Sequence, residues 1–209
     1  MVSHYILALF LIIIAGSYAA GLQSNDFGFN DITTYDKVEC GDGQLSVKFE
    51  RLDEICENEE RSIDYEYFVP SGQSLNMKSP TVTLPRAKDV QTSYTILMYD
   101  PDAPSRETPV AAPWLHWAVV NIPSSVIGSS FNVTSFDQRQ VIMDYAPPTP
   151  PPKTSIHRYF VVVYVQPGYL NVDKINVSDR KKFPVDSFVT DWKLKGEAGI
   201  IFTTANREQ

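Results

Sequence analysis

Three short segments gather the residue types on which binding or catalysis is usually built. Asp100-Pro101-Asp102-Ala103-Pro104 spaces two carboxylates two residues apart in a turn stiffened by proline. Trp114-Leu115-His116 and His157-Arg158-Tyr159 supply the two histidines left once a leader is removed. On strands, whose side chains alternate, Trp114 and His116 share one face, while His157 and Tyr159 share a face opposite Arg158. Two aspartates, two histidines and a tyrosine in one place could act as a hydrolase or hold zinc. The chain has no Gly-x-Ser-x-Gly elbow and no His-Glu-x-x-His pair. Each residue also has a structural reading, the histidines as satisfied core groups and the aspartates as turn formers. The expectation is a non-enzymatic protein with no metal and no cofactor.

Positioning these residues falls to strands. Alternation and β-branched content predict strands over Leu45–Phe49, Thr81–Leu84, Tyr94–Tyr99, Trp114–Ile122 and Ile156–Gln166, with a short one at Gly199–Phe202. The linkers carry Pro or Gly rather than helical patterns, so the class is mainly β and a doubly wound sheet is excluded. One short helix is predicted near the C-terminus, where Val185, Phe188, Val189 and Trp192 repeat at helical spacing after Pro184. Trp117, Val119 and Asn121 should alternate against the site-facing residues and pack in the sheet, as should Phe160, Val162 and Tyr164.

The 209 residues suit one core, and 43% of them are hydrophobic. The net charge of −7 argues against nucleic acid, since Arg180-Lys181-Lys182 is the only basic cluster. Tyr5–Ala15 is an apolar run followed by small residues, which reads as a signal peptide over 1–19 cleaved after Ala19; a signal anchor is the alternative. The polar tail Thr203–Gln209 excludes a glycolipid-anchor signal. Residues 20–39 form a polar, extended lead-in, and the domain is expected over 40–209. Cys40 and Cys56 are read as a structural disulfide, their spacing being wrong for a Cys-x-x-Cys site. Bridged, they leave no cysteine nucleophile. Asn132-Val133-Thr134 and Asn176-Val177-Ser178 are glycosylation sequons, making a secreted, extracellular glycoprotein the expected product. The acidic stretch Asp53–Glu60 is read as a solvated loop held by Cys56, with a partner surface as the alternative. Arg106 and Arg158 are expected to be ion-paired or solvated.

The three segments, with Asp144-Tyr145-Ala146-Pro147-Pro148-Thr149-Pro150-Pro151-Pro152 between the second and third, resemble the phosphatidylethanolamine-binding protein family from about Pro80 to Phe202. The leader, the cysteines and the proline-rich loop look most like its secreted animal branch. The resemblance implies a large central antiparallel sheet with a smaller second sheet, and a small pocket accepting a phosphate-like anion. Asp100, His116 and His157 would line it with Tyr159 at its wall. Asp102, Pro104 and Trp114 would shape it, and Pro150 and Pro151 would form its rim. Imidazoles and the tyrosine hydroxyl would donate to phosphate oxygens, and an acidic neighbour would favour imidazolium, so affinity should rise as pH falls. Two departures stand out. Pro147, Pro148 and Thr149 replace a usually glycine-rich stretch, and proline has no N–H to donate, leaving Thr149 to offer its amide and hydroxyl. The chain also ends soon after Phe202, so the expectation is that a covering C-terminal helix is missing and that the pocket is more open. Cis bonds are implied at Ala103-Pro104 and Ala112-Pro113. The implied function is binding or regulation through phosphate-bearing headgroups such as phosphatidylethanolamine, with peripheral membrane contact. The alternative is an extracellular serine protease inhibitor or signalling modulator acting on a protease or receptor.

Overall fold

The computed structural model describes residues 40, 43–57, 59–69, 78–87 and 89–207; the leader and the lead-in lie outside them. The strands are β1 (Ser46–Lys48), β2 (Ile55–Cys56), β3 (Glu60–Ser62), β4 (Thr81–Thr83), β5 (Ser93–Asp100), β6 (Trp114–Pro123), β7 (Val141–Met143), β8 (His157–Val165) and β9 (Lys195–Thr204). Short helices occupy α1 (Tyr65–Phe68), α2 (Ser124–Ile127) and α3 (Val185–Asp191). A six-stranded sheet runs β3-β9-β8-β5-β6-β7 and a three-stranded sheet runs β2-β1-β4. Pairing in the large sheet is antiparallel except at one edge, where β3 lies parallel to β9.

The central strands are buried on both faces, which is why they read as nearly continuous apolar runs. On one face Ile96, Trp117, Tyr159, Val161 and Phe202 meet Val47, Phe49 and Val82 of the small sheet. On the other, Leu97, Phe160 and Val162 meet Phe183 and Phe188, so the α3 repeat covers the sheet as predicted. Rings dominate the first layer: Phe49 packs edge-on to Phe68 and Phe202, both at 5.4 Å. Arg86, just after β4, donates to Glu57 at 2.7 Å and to Glu197 of β9 at 3.0 Å, tying the two sheets together.

Strict alternation fails in β6. Leu115 pairs with Tyr99 and Trp117 with Met98, leaving His116 as an extra residue. Such a bulge re-aims its side chain. Trp117 therefore lies on the same face as the site rather than opposite it, as alternation had suggested. A second irregularity falls at Asn121, whose φ of 57° is left-handed. It is not apolar packing but the hub of a buried polar network: its side-chain N–H2 donates to Gln140 and to the Leu170 carbonyl, and its oxygen accepts from Gln166 and from Leu170 N. The Asp53–Glu60 stretch is also more ordered than a solvated loop. It contains β2 and the start of β3, and Glu59 accepts from Cys56 N and from Arg61. Cys40 and Cys56 are bridged as expected. The Ala103-Pro104 and Ala112-Pro113 bonds are both cis, as implied.

Candidate functional site

Four strand ends meet at one end of the large sheet. β5 ends at Asp100, β9 ends at Thr204, β6 begins at Trp114 and β8 begins at His157. This brings Asp100, His116, His157 and Tyr159 together from three segments distant in sequence. Asp100 Oδ2 lies 2.7 Å from His157 Nδ1, and Asp100 Oδ1 accepts from Asp102 N at 2.7 Å. The His116 ring packs edge-on to Tyr159 at 5.2 Å, and the His157 ring stacks on Tyr159 at 6.5 Å.

Hydrogen counting fixes the His116 ring. A carbonyl only accepts, so at 2.8 Å from Ala146 O the proton of His116 is on Nδ1, leaving a lone pair on Nε2. Burial pushes the His116 pKa down from 6.5 to about 4, against smaller upward effects of the Ala146 bond and of Asp100, with Arg180 and His157 adding to the fall. His116 is thus a neutral acceptor at physiological pH, not the imidazolium donor that an acidic neighbour suggested. At His157 the roles differ. The Thr154 hydroxyl donates to Pro151 O at 2.7 Å and its Oγ1 lies 3.2 Å from His157 Nε2. His157 thus presents Nδ1 to Asp100 and Nε2 to Thr154. Tyr159 is held in its phenol form, its pKa raised well above 10 first by burial and then by Asp100 and Asp102. Its hydroxyl makes no hydrogen bond among the described residues.

The supporting residues divide by what they touch. Asp102 faces Arg158 rather than the histidines, accepting from its backbone N, its Nε at 2.9 Å and its outer guanidinium N–H2 at 2.6 Å. Burial alone would raise the Asp102 pKa, but the Arg158 hydrogen bonds and charge outweigh it and hold the carboxyl low. Arg158 is ion-paired, as expected, and Arg106 approaches Asp102 only at 3.5 Å. Trp114 pairs with Asp100 across β5 and β6, and both it and Pro104 are half-buried. In the rim, Pro150 is buried whereas Thr149 and Pro151 are exposed. The floor is buried: Asp100 is 3%, His116 4%, His157 1% and Tyr159 1% exposed. Grooves of about 780 and 310 Å³ lie elsewhere, the first beside Val141 and Tyr169, the second beside Phe188 and Trp192. Of the sequon asparagines, Asn176 is exposed on the lip of the second groove, and Asn132 accepts from Thr134 N and Oγ1.

A family model described as phosphatidylethanolamine-binding protein matches residues 57–199, more than half of the chain. The chain belongs to the phosphatidylethanolamine-binding protein family. Odorant-binding protein A5 of Drosophila melanogaster is 36% identical over 120 residues, covering 54% of this chain and 53% of that protein. A 26 kDa secreted antigen of Toxocara canis is 34% identical over 106 residues, covering 48% and 37%. The chain thus spans about half or less of the length of these relatives. Among solved structures, a carboxypeptidase Y inhibitor complexed with its cognate proteinase superposes with a TM-score of 0.59 at 16% identity, covering 79% of this chain and 84% of that one. That likeness bears on the fold alone, the mainly β arrangement of two sheets implied by the family resemblance.

Three supporting residues escaped the sequence reading of this family member. Ala146 receives the His116 proton and returns its own N–H to His116 O at 2.8 Å, stapling the start of the rim to the bulge. Arg180 looked like part of a basic surface cluster. It is half-buried and donates to the carbonyls of Leu115 and His116, both at 2.9 Å, and of Asp144 at 2.7 Å. Thr154 closes the far end of the rim. Only the Pro-rich composition around Ala146 and Thr154 hinted that these positions are anchored.

Proposed function

We propose that this protein is an extracellular, non-enzymatic binding protein whose Asp100-His116-His157-Tyr159 site takes a phosphate-bearing headgroup such as that of phosphatidylethanolamine. The observation that carries the reading is the split of roles on one buried floor: an acceptor at His116 Nε2 beside a donor at the Tyr159 hydroxyl. A monoanionic phosphate monoester such as phosphorylethanolamine offers both complements, a P–OH for the imidazole and P–O⁻ oxygens for the hydroxyl; a phosphodiester such as phosphatidylethanolamine has no P–OH, and there its ammonium end would serve the acceptor. Thr149 on the rim adds a further amide and hydroxyl. Because the second phosphate pKa is about 6, affinity for a monoester should rise as pH falls through that value, with the proton carried by the ligand rather than by His116. The extracellular placement draws support from the disulfide and from a relative named as a secreted antigen.

Calorimetric titration with phosphorylethanolamine and with inorganic phosphate tests this. Saturable binding that is lost in His116→Ala and in His157→Ala is the expected result. A folded wild-type protein that binds neither ligand would sink the reading. A second reading, an extracellular protease inhibitor or signalling modulator acting through its surface, is favoured by the fold shared with the carboxypeptidase Y inhibitor. It predicts that His157→Ala leaves protease inhibition unchanged.

A further inference from the structure

Among the described residues, four buried side-chain polar atoms lack a hydrogen-bond partner: Ser79 Oγ, Trp117 Nε1, Tyr145 OH and Thr204 Oγ1. An unpaired buried hydroxyl costs folding free energy, so its retention calls for a reason. Trp117 and Tyr145 pack on one another in the core between the sheets, with ring centroids 6.1 Å apart. Thr204 differs in place. It is the last residue of β9 and pairs directly with His157 at the start of β8. Residues opposite one another in an antiparallel pair project from the same face, with Cβ atoms about 5 Å apart. Two residues earlier on that face, Phe202 stacks on Tyr159 at 5.3 Å. The Thr204 hydroxyl therefore stands on the His157 and Tyr159 side of the sheet, 1% exposed and uncommitted.

We propose that Thr204 is a further ligand contact of this site, its hydroxyl donating to an oxygen of the bound phosphate. The inference rests on the phosphate reading above. It also answers a shortage. Pro147 and Pro148 bring no N–H to the rim, the His116 Nδ1 proton is engaged by Ala146, and the two ring nitrogens of His157 face Asp100 and Thr154. A hydroxyl rooted in β9 replaces donors that a proline rim cannot offer. It is also fixed more rigidly than a loop amide, because it sits on a strand paired along its length with β8.

The test compares wild type, Thr204→Val, Thr204→Ser and His157→Ala by calorimetric titration with phosphorylethanolamine, with thermal unfolding of each protein free of ligand. Thr204→Val should weaken binding about tenfold or more, as expected for a hydrogen bond to a charged group, and Thr204→Ser should retain it. Free of ligand, Thr204→Val should melt at or above the wild-type temperature, since it removes an unpaired hydroxyl. Unchanged affinity in Thr204→Val alongside lost binding in His157→Ala would overturn the role of Thr204 and leave the phosphate reading standing. A lower melting temperature for Thr204→Val, restored by Ser, would mean the hydroxyl serves the fold and would also overturn it. A folded wild type that does not bind at all would remove both.

Discussion

His116 should make the fold acid-sensitive in a way that can be isolated from every other titration. Its ordinary pKa of 6.5 falls to about 4 in the folded chain, chiefly through burial, so the folded state prefers the neutral ring. The sign follows from linkage: the stabilisation is complete above 6.5 and is lost as pH falls from there towards 4. At about 1.4 kcal/mol per pH unit, the whole span corresponds to about 3 kcal/mol, of which about 2 kcal/mol is gone by pH 5. Urea unfolding of ligand-free protein at about pH 7.5 and pH 5 gives the change for wild type. The same pair of measurements on His116→Asn gives it without this titration, because the asparagine amide can still donate to Ala146 O. The variant loses ring packing on Tyr159, but that loss is common to both pH values and cancels. The wild type should lose about 2 kcal/mol more than the variant on acidification. Equal losses would refute the assignment of a buried, neutral His116.

Arg158→Met should destabilise by about 3–5 kcal/mol, because it leaves the buried Asp102 carboxylate uncompensated; chemical denaturation measures it. The Asp102 contribution in wild type is present above the ordinary carboxylate range and lost below it, since Arg158 holds the group low. The variant should instead become relatively more stable as Asp102 protonates. Replacing Cys40 and Cys56 together by Ser opens a loop of sequence separation 16 and should cost about 3 kcal/mol, read as a lower urea midpoint. Asn121→Ala removes four side-chain hydrogen bonds and places a Cβ residue without a local polar partner at φ 57°, so a loss of about 3 kcal/mol or more is expected in the same assay.

The long strands were legible from their β-branched content and their Pro- and Gly-bearing linkers, although burial on both faces leaves nearly continuous apolar runs in which alternation is weak. The observed bounds Ser93–Asp100, Trp114–Pro123 and His157–Val165 lie within a residue of the expected ones. β9 was read short because Gly196 and Gly199 and the exposed Lys195 interrupt its pattern. β2, β3 and β7 have two or three residues each, too few for periodicity to register. At the site, Asp100, His116, His157 and Tyr159 were recognisable from residue type and motif order. What could not be read was orientation. The bulge at His116 defeats counting by twos, and the Nδ1 proton is decided by the carbonyl of Ala146, thirty residues away. Arg180 was hidden for a related reason: in the sequence it registers only as part of a short basic cluster, and only the fold turns it beneath β6.

The proline rim is fixed at both ends. Ala146 is fastened to the bulge by a reciprocal pair of bonds, and Thr154 is fastened to Pro151 and to His157. Between these anchors the chain from 147 to 153 is held from both sides, so substitutions within it that keep the Pro151 carbonyl in place should change what meets a ligand while leaving the strand ends beneath undisturbed.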